Sequence, residues 1–161
     1  MNMRKLATVA LLLSGAALTV ASRSRGPEAE AAIPGAETAI HVYKSPTCGC
    51  CAKWVTHMEA AGFAVTVEDE TDMAGVKRRT GVPFDLSSCH TAVAGDRVIE
   101  GHVPARVVRR FLEEGPKVAG ISVPGMPVGS PGMEGPNPQP YDVIAFDGNG
   151  NRTVFERVDP R

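Results

Sequence analysis

The chain lacks any concentrated group of basic residues. Its 161 residues include 17 lysines and arginines against 18 aspartates and glutamates, for a formal net charge of -1, and the basic residues are scattered. Nucleic-acid binding needs a concentrated positive surface, so we exclude a nucleic-acid partner. Also absent are a Gly-x-Ser-x-Gly elbow, a phosphate-binding loop and a metalloprotease helix, which excludes the common forms of serine and carboxylate catalysis.

Long hydrophobic runs are scarce as well. The most apolar one, residues 6–20, follows the basic Arg4 and Lys5 and ends in Ala21 and Ser22, which is typical of a secretory signal peptide. We predict that residues 1–31 are a signal peptide and the start of a tether, with an uncertain cleavage site, and that the protein is exported to the periplasm. An uncleaved membrane anchor is the alternative, although the run is short for a span of about 20 residues.

The remaining chain has the length and composition of one globular domain. Of all residues 43% are hydrophobic and 22% charged, which is ordinary for a folded protein and says little about function. We predict a single domain over residues 38–161.

Cysteine is scarce but concentrated in two places. Cys48, Cys50 and Cys51 follow a strand-like run, while Cys89 is followed by His90 at the start of another. We expect three sulfurs within four residues to be too crowded to pair as ordinary disulfides, because a disulfide needs Cα atoms about 4.4 to 6.8 Å apart. The pattern favours a thiolate site for a soft cation, or redox exchange. Two disulfides are the alternative in an oxidising compartment.

Hydrophobic periodicity predicts an α/β domain of order β-α-β-α-β-β-α. The predicted strands and helices, in chain order, cover residues 38–43, 51–61, 63–67, 73–79, 91–93, 97–100 and 104–112. This is the order of a thioredoxin-like domain, in which a cysteine motif opens the first helix and the loop before the third strand approaches it from the side. Cysteines far apart in the sequence could therefore share one site.

The C-terminal third is predicted to be a loop and a hairpin. Residues 123–134 are rich in proline and glycine, so they cannot form regular helix or strand, and such a stretch is usually a functional loop or a linker. Strand-like runs over 141–146 and 153–158 flank a glycine-rich turn and predict a C-terminal β-hairpin.

Four separate motifs, taken together, resemble the CopG-like family of periplasmic copper-resistance proteins, long filed as a domain of unknown function. The motifs are YKSPTCGCC (43–51), SCHTA (88–92), IEGHVP (99–104) and PGMPVGSPGME (124–134). The resemblance implies a thioredoxin-like domain whose cysteines hold a small cluster of copper ions, with a role in copper redox handling. By position, the cluster ligands would be Cys48, Cys50, Cys51 and Cys89.

The resemblance does not decide whether copper is stored, transferred or oxidised, so the activity of a copper oxidoreductase is left open. The expected partners are copper ions and other periplasmic copper-handling proteins.

Ligand chemistry favours the same metal. Thiolates prefer Cu(I), although four cysteines could in principle also take zinc or an iron-sulfur cluster. The adjacent Cys50 and Cys51 point in different directions from a helix N-terminus, which suits bridging sulfurs and more than one Cu(I) ion. The helix N-terminus also favours the thiolate form.

A thiol-disulfide oxidoreductase is the competing interpretation, because Cys48 and Cys51 have the two-residue spacing of that class. Against it, Cys50 and Cys89 would trap mixed disulfides.

Four further residues are candidates for supplementary metal ligands. His90 adjoins Cys89 but could equally face away from it, since side chains alternate along a strand. His102 could cap the site or lie on a surface turn, and the surface turn is favoured. Met126 and Met133 lie in the proline-rich loop, where thioether sulfur could bind Cu(I) in transit, although methionine more often fills gaps in apolar packing.

Overall fold

The structure, a computed structural model, describes residues 38–114 and 117–161. The predicted signal peptide and the tether lie outside these residues. In chain order, the described elements are β1 (Thr38–Lys44), α1 (Gly49–Ala60), β2 (Phe63–Asp69), α2 (Met73–Thr80), a 3-10 turn (Phe84–Leu86), β3 (His90–Ala94), β4 (Arg97–Glu100), α3 (Ala105–Glu114), β5 (Gly120–Ser122), β6 (Tyr141–Phe146) and β7 (Arg152–Val158). Within the described ranges, no helix has both the length and the apolar character needed to cross a membrane.

The strands of the described residues form one sheet in the order β2-β1-β3-β4-β5-β6-β7. The pairs β1-β2 and β4-β5 are parallel, and the other neighbours are antiparallel. The predicted α/β thioredoxin-like fold with its order β-α-β-α-β-β-α is confirmed, and the C-terminal hairpin is present as β6 and β7.

Helices α1 and α3 belong to the same hydrophobic core. Trp54 and Met58 of α1 are fully buried with Phe111 of α3, and burying a side chain of this size stabilises the fold by about 1.5 to 3 kcal/mol. The indole of Trp54 also donates a hydrogen bond of 2.8 Å to the Val103 carbonyl, just before α3. This pairing of α1 with the entry to α3 brings the cysteine motif close to His102.

The sheet has a second, smaller core on its other face. Val98 and Ile99 are neighbours in β4, so their side chains point to opposite faces. Ile99 packs in the core of α1 and α3, whereas Val98 packs with Val82, Leu86 and Phe146. Both faces of β4 are therefore covered, which explains why its last residue, Glu100, is completely buried.

One strand was not predicted. Residues 120–122 form β5, which pairs with β4 on one side and β6 on the other and so joins the hairpin to the main sheet. Three residues give too short a pattern for periodicity to indicate a strand. The neighbouring proline-rich segment 123–134 contains neither helix nor strand, as expected.

We predict that His57 makes stability depend on pH. Its Nε2 accepts a hydrogen bond of 3.1 Å from the Ala105 N–H, the first residue of α3, so it must be neutral. Burial lowers the pKa of His57 below 6.5, against a smaller opposing effect of Glu134. Because the unfolded state binds the proton more readily, this contribution is complete above about pH 6.5 and is lost as pH falls.

His57→Gln removes the titrating group, so its unfolding free energy should fall less steeply than that of the wild type as pH drops below 6.5. The difference should reach about 1 kcal/mol, the value of one such hydrogen bond. Urea unfolding at a series of pH values measures it, and parallel curves for the two proteins would contradict the prediction.

Candidate metal centre

The N-terminus of α1 presents three of the four sulfurs. Cys48 is the residue preceding the helix, with its carbonyl accepting from the Ala52 N–H at 3.2 Å, and its side chain makes no capping hydrogen bond. Cys50 and Cys51 lie in the first turn, as predicted. The first turn contains no acidic residue, so the partial positive charge of the helix end acts on the sulfurs without competition from a neighbouring carboxylate of the turn.

Cys48 and Cys51 form a disulfide in this structure, while Cys50 and Cys89 are free thiols. The expectation that the three clustered cysteines are too crowded to pair was wrong. Residues three apart at the start of a helix lie one turn from each other, and the two Cα atoms are 5.3 Å apart, within the range that a disulfide needs. The crowding argument overlooked this helical spacing.

The fourth sulfur belongs to Cys89, in the loop before β3. Cys89 Sγ lies 4.0 Å from Cys50 Sγ, and Cys50 Sγ lies 3.5 Å from Cys48 Sγ. All four sulfurs lie within 4.8 Å of one another. The structure therefore brings together the four cysteines that the sequence singled out, although no metal is needed to explain their positions in the fold.

A buried carboxylate holds the loop that carries Cys89. Glu100 is fully buried at the end of β4, and its side chain accepts hydrogen bonds from the Ser88 N–H at 2.6 Å and the Thr91 hydroxyl at 2.7 Å. Lys77 of α2 completes the group with an ion pair of 2.5 Å to the same carboxylate. Because Ser88 and Thr91 flank Cys89 and His90, this network fixes both residues.

His102 is a site residue. It is fully buried, its Nε2 lies 2.9 Å from Cys89 Sγ, and its Nδ1 lies 2.8 Å from the Pro131 carbonyl. The preference for a surface turn was therefore wrong. The Pro131 carbonyl can only accept, so Nδ1 carries the proton and Nε2 is left to accept from the Cys89 thiol.

His90 also faces the site and is fully buried. Its Nδ1 lies 3.4 Å from Cys89 Sγ, and its ring packs against Trp54 at 4.5 Å and edge-on against His102 at 4.9 Å between ring centroids. Nε2 of His90 is buried without a hydrogen bond of acceptable geometry among the described residues.

Burial keeps the imidazoles of His90 and His102 and the thiol of Cys89 uncharged. Burial, followed by His102 and Lys77, holds the pKa of His90 well below 6.5, and burial also lowers the pKa of His102. Burial, followed by the adjacent Cys50, raises the pKa of the Cys89 thiol to about 12. An ion that binds Cys89 must therefore displace a proton.

The proline-rich segment 123–134 lies against the cysteine helix. Gly132 lies so close to α1 that a Cβ atom there would be 2.6 Å from the Cys50 carbonyl oxygen and 3.1 Å from the Trp54 backbone nitrogen. Met126 is 52% exposed and Met133 is half-buried next to Gly132. The segment covers the site through Pro131 and Gly132, whereas the roles of both methionines as ligands stay predictions.

Sequence reasoning missed three contributors to the site. Glu100 and Pro131 act through a carboxylate and a backbone carbonyl that no spacing rule connects to the cysteines, and Gly132 acts through its lack of a side chain. The available signals were the motifs at 99–104 and 124–134 and the density of glycine and proline in 123–134, none of which predicted these contacts.

A surface cleft near α2 is separate from the cysteine group. It encloses about 570 Å³ between Ala74, Arg78, Val82 and Phe84, and the Phe84 side chain is 95% exposed. Its lining contains neither sulfur nor imidazole, so it offers no ligand for a soft metal.

Comparison with solved structures identifies the family. A structure described as copper resistance protein CopG, form 2, is 44% identical with a TM-score of 0.72, and the match covers 76% of this chain and 99% of that chain. This chain belongs to the CopG family of copper-resistance proteins. A second CopG structure, form 1, matches at 44% identity with a TM-score of 0.71 over 76% of this chain and 98% of that chain.

Other comparisons agree with the CopG assignment. The family model described as "Protein of unknown function, DUF411" matches residues 86–133, a range that includes Cys89, His102 and residues 123–133 of the proline-rich segment. No curated protein matches the chain. The predicted resemblance to the CopG-like family is confirmed.

We predict that Gly132→Ala loosens the segment over the cysteines. Gly132 and Gly150 have the same φ of 86°, but a Cβ at Gly150 meets no atom within 4 Å. Gly150→Ala should therefore lower the free energy of unfolding only by the cost of the left-handed backbone, about 1 to 2 kcal/mol. Gly132→Ala should lower the free energy of unfolding by about 1 to 3 kcal/mol more. Urea unfolding of both variants gives the difference, and timed alkylation should show faster modification of Cys50 in Gly132→Ala. An equal loss of unfolding free energy in the two variants would contradict a close contact between Gly132 and α1.

We predict that Glu100→Gln destabilises the protein by about 3 kcal/mol, because it leaves the Lys77 ammonium without its buried partner. The exposed Glu59 provides a matched control, and Glu59→Gln should change stability by less than about 0.5 kcal/mol. The double variant Lys77→Met, Glu100→Gln should recover part of the stability that Glu100→Gln loses. Chemical unfolding of all three variants tests this, and no recovery in the double variant would show that the ion pair is not the cause.

Proposed function

We propose that this CopG-family protein binds several Cu(I) ions through Cys48, Cys50, Cys51 and Cys89, and that it serves copper resistance in the periplasm. The supporting observation is that all four sulfurs lie within 4.8 Å of one another. Thiolates are the ligands that Cu(I) prefers among those available in proteins. The two CopG structures are named for copper resistance, which is consistent with the same metal here.

More than one ion is favoured by the directions of the sulfurs. Cys50 and Cys51 are consecutive in a helix, so their side chains leave the helix about 100° apart. Cys51 is fully buried, while Cys48 and Cys50 are partly exposed. Sulfurs that leave the helix in separate directions can each contact a different ion, so we favour bridging of more than one ion.

Copper binding by all four sulfurs requires the Cys48–Cys51 disulfide to be reduced. Reduction takes two electrons and two protons and yields two thiols. In the opposite direction, oxidation of the two thiols to the disulfide releases two electrons and two protons, which is enough to reduce two Cu(II) ions to Cu(I). This couple balances the reduction of two Cu(II) ions to Cu(I), and it removes Cys48 and Cys51 as ligands for as long as the disulfide lasts.

Export to the periplasm is part of the proposal and is supported by the N-terminal sequence. The basic Arg4 and Lys5, the apolar run 6–20 and the small residues after it have the order of a signal peptide.

A thiol-disulfide oxidoreductase is the second candidate, and the Cys48–Cys51 disulfide favours it. However, the free Cys50 lies 3.5 Å from Cys48, close enough to attack the same disulfide that a substrate thiol would attack. Internal exchange would compete with substrate at every turnover.

The deciding experiment is to measure copper content and free thiols together, on protein purified anaerobically from the periplasm of copper-supplemented bacteria. We expect more than one copper per chain and no disulfide. Cys89→Ser should lose several copper equivalents, because removing a bridging sulfur releases each ion that it binds. Met126→Ala changes an exposed residue and should slow loading while leaving the final copper content unchanged.

Metal-free protein with the Cys48–Cys51 disulfide, active on disulfide substrates, would favour the oxidoreductase instead. An unchanged copper content in Cys89→Ser would remove Cys89 from the site.

A further inference from the structure

We propose that the surface cleft beside α2 is a binding site for a small aromatic carboxylate. Binding sites for small molecules commonly enclose about 300 to 1,000 Å³ and combine apolar walls with a few polar groups. This cleft encloses about 570 Å³, and its lining combines both kinds of residue: Ala74, Lys77, Arg78, Val82, Phe84 and Ser87. The proposal goes beyond copper binding and does not depend on it.

The apolar part of the lining contains one fixed wall and one exposed aromatic ring. Val82 is buried and packs in the smaller core of the sheet, so its position is set by the fold. Phe84 is 95% exposed, more than any other large hydrophobic side chain in the described ranges. A single exposed apolar residue is ordinary, but this ring borders a cleft. An aromatic ligand in the cleft can cover the ring, and aromatic pairs gain more than their buried area alone provides.

The charged part of the lining is cationic. It includes Lys77 and Arg78 and contains no carboxylate. The Lys77 ammonium donates to Glu100 and Thr91, which uses two of its three N–H donors. Arg78 Nη2 is 3.7 Å from the nearest Asp72 oxygen, too far for a hydrogen bond, and both side chains are largely exposed. Because an exposed pair of this kind is weak, the Arg78 guanidinium can turn to a ligand at little cost.

These charges favour a ligand with a single carboxylate. The planar guanidinium of Arg78 can bind a carboxylate through two parallel hydrogen bonds. The charge of Lys77 is already balanced by Glu100, so the lining has one positive charge without a buried partner. A doubly charged phosphate would leave a negative charge unbalanced beside apolar walls, which is unfavourable. A cationic ligand would be repelled by the like charge of Arg78.

The cleft borders the loop that carries Cys89. Ser87 lines the cleft and precedes Cys89 by two residues. Lys77 is connected to the same loop through Glu100, whose side chain accepts a hydrogen bond from the Ser88 N–H. A bound carboxylate would therefore contact this loop and one of the side chains that hold it, although no cysteine lines the cleft.

Phenylbutyrate is the probe, because it joins a phenyl ring to one carboxylate. We expect its titration into isotope-labelled protein to shift the amide resonances of Ala74, Val82 and Ser87. The shifts should saturate with a Kd of about 1 mM, the affinity expected for a ligand of this size. Phenylbutanol has the same ring without the charge and should bind more weakly, and phenylbutylamine should bind most weakly of the three.

Two variants separate the aromatic contact from the charge. Phe84→Ser should weaken binding of both phenylbutyrate and phenylbutanol, whereas Arg78→Gln should weaken phenylbutyrate alone, by about fivefold. Both residues are exposed, so both variants should fold normally. The matched controls are Val154→Ser, an exposed apolar residue outside the lining, and Arg157→Gln, an exposed arginine that pairs with Asp142 at 2.9 Å. Both controls should bind like the wild type.

The proposal is overturned if the resonances of the lining residues do not saturate at ten times the expected Kd. It is also overturned if phenylbutylamine binds as tightly as phenylbutyrate, or if the cleft variants bind no more weakly than their controls. Failure of the proposed function would look different, because copper content is measured separately. Protein that binds phenylbutyrate but no copper would remove only the copper proposal, and the reverse result would remove only the cleft.

Discussion

The position of Cys89 depends on the buried carboxylate of Glu100. Strand pairing brings the loop near the N-terminus of α1, because Lys44 of β1 pairs with His90 of β3, but Cys89 itself precedes the strand. Hydrogen bonds from Ser88 and Thr91, on either side of the Cys89-His90 pair, hold this loop to the carboxylate, and Lys77 balances its charge. The fourth sulfur of the site is therefore held in place by a polar network at the end of β4.

The same strand end determines where the histidines lie. Gly101 follows Glu100 with a φ of 72°, and a Cβ there would be 2.4 Å from the Ser88 hydroxyl oxygen and 2.7 Å from the Val123 carbonyl oxygen. A residue without a side chain allows the chain to turn tightly against the loop and return His102 to Cys89. One sulfur thus faces thiols on one side and imidazoles on the other.

The fold was largely predictable, because α1 and α3 have clear helical periodicity and cysteine spacing indicated the site. The grouping of Cys48, Cys50, Cys51 and Cys89 followed from the order of elements. The disulfide was missed because crowding was judged along the sequence rather than around a helical turn. The burial of His102 was missed because it depends on Gly101 and Pro131, whose contacts arise only when β4 and the segment 123–134 pack together.

The proline-rich segment 123–134 both orients His102 and covers the N-terminus of α1. Pro131 orients His102 while the adjacent Gly132 lies on the Cys50 carbonyl, so any opening of the segment would release the histidine and uncover the helix end together. Cys51 is fully buried, whereas Cys48, Cys50 and Cys89 retain partial exposure. In the proposed copper site, an arriving ion would meet these three sulfurs first, and Cys51 would become available only after the Cys48–Cys51 disulfide is reduced. Under that proposal, the redox state of the disulfide controls access to the innermost sulfur.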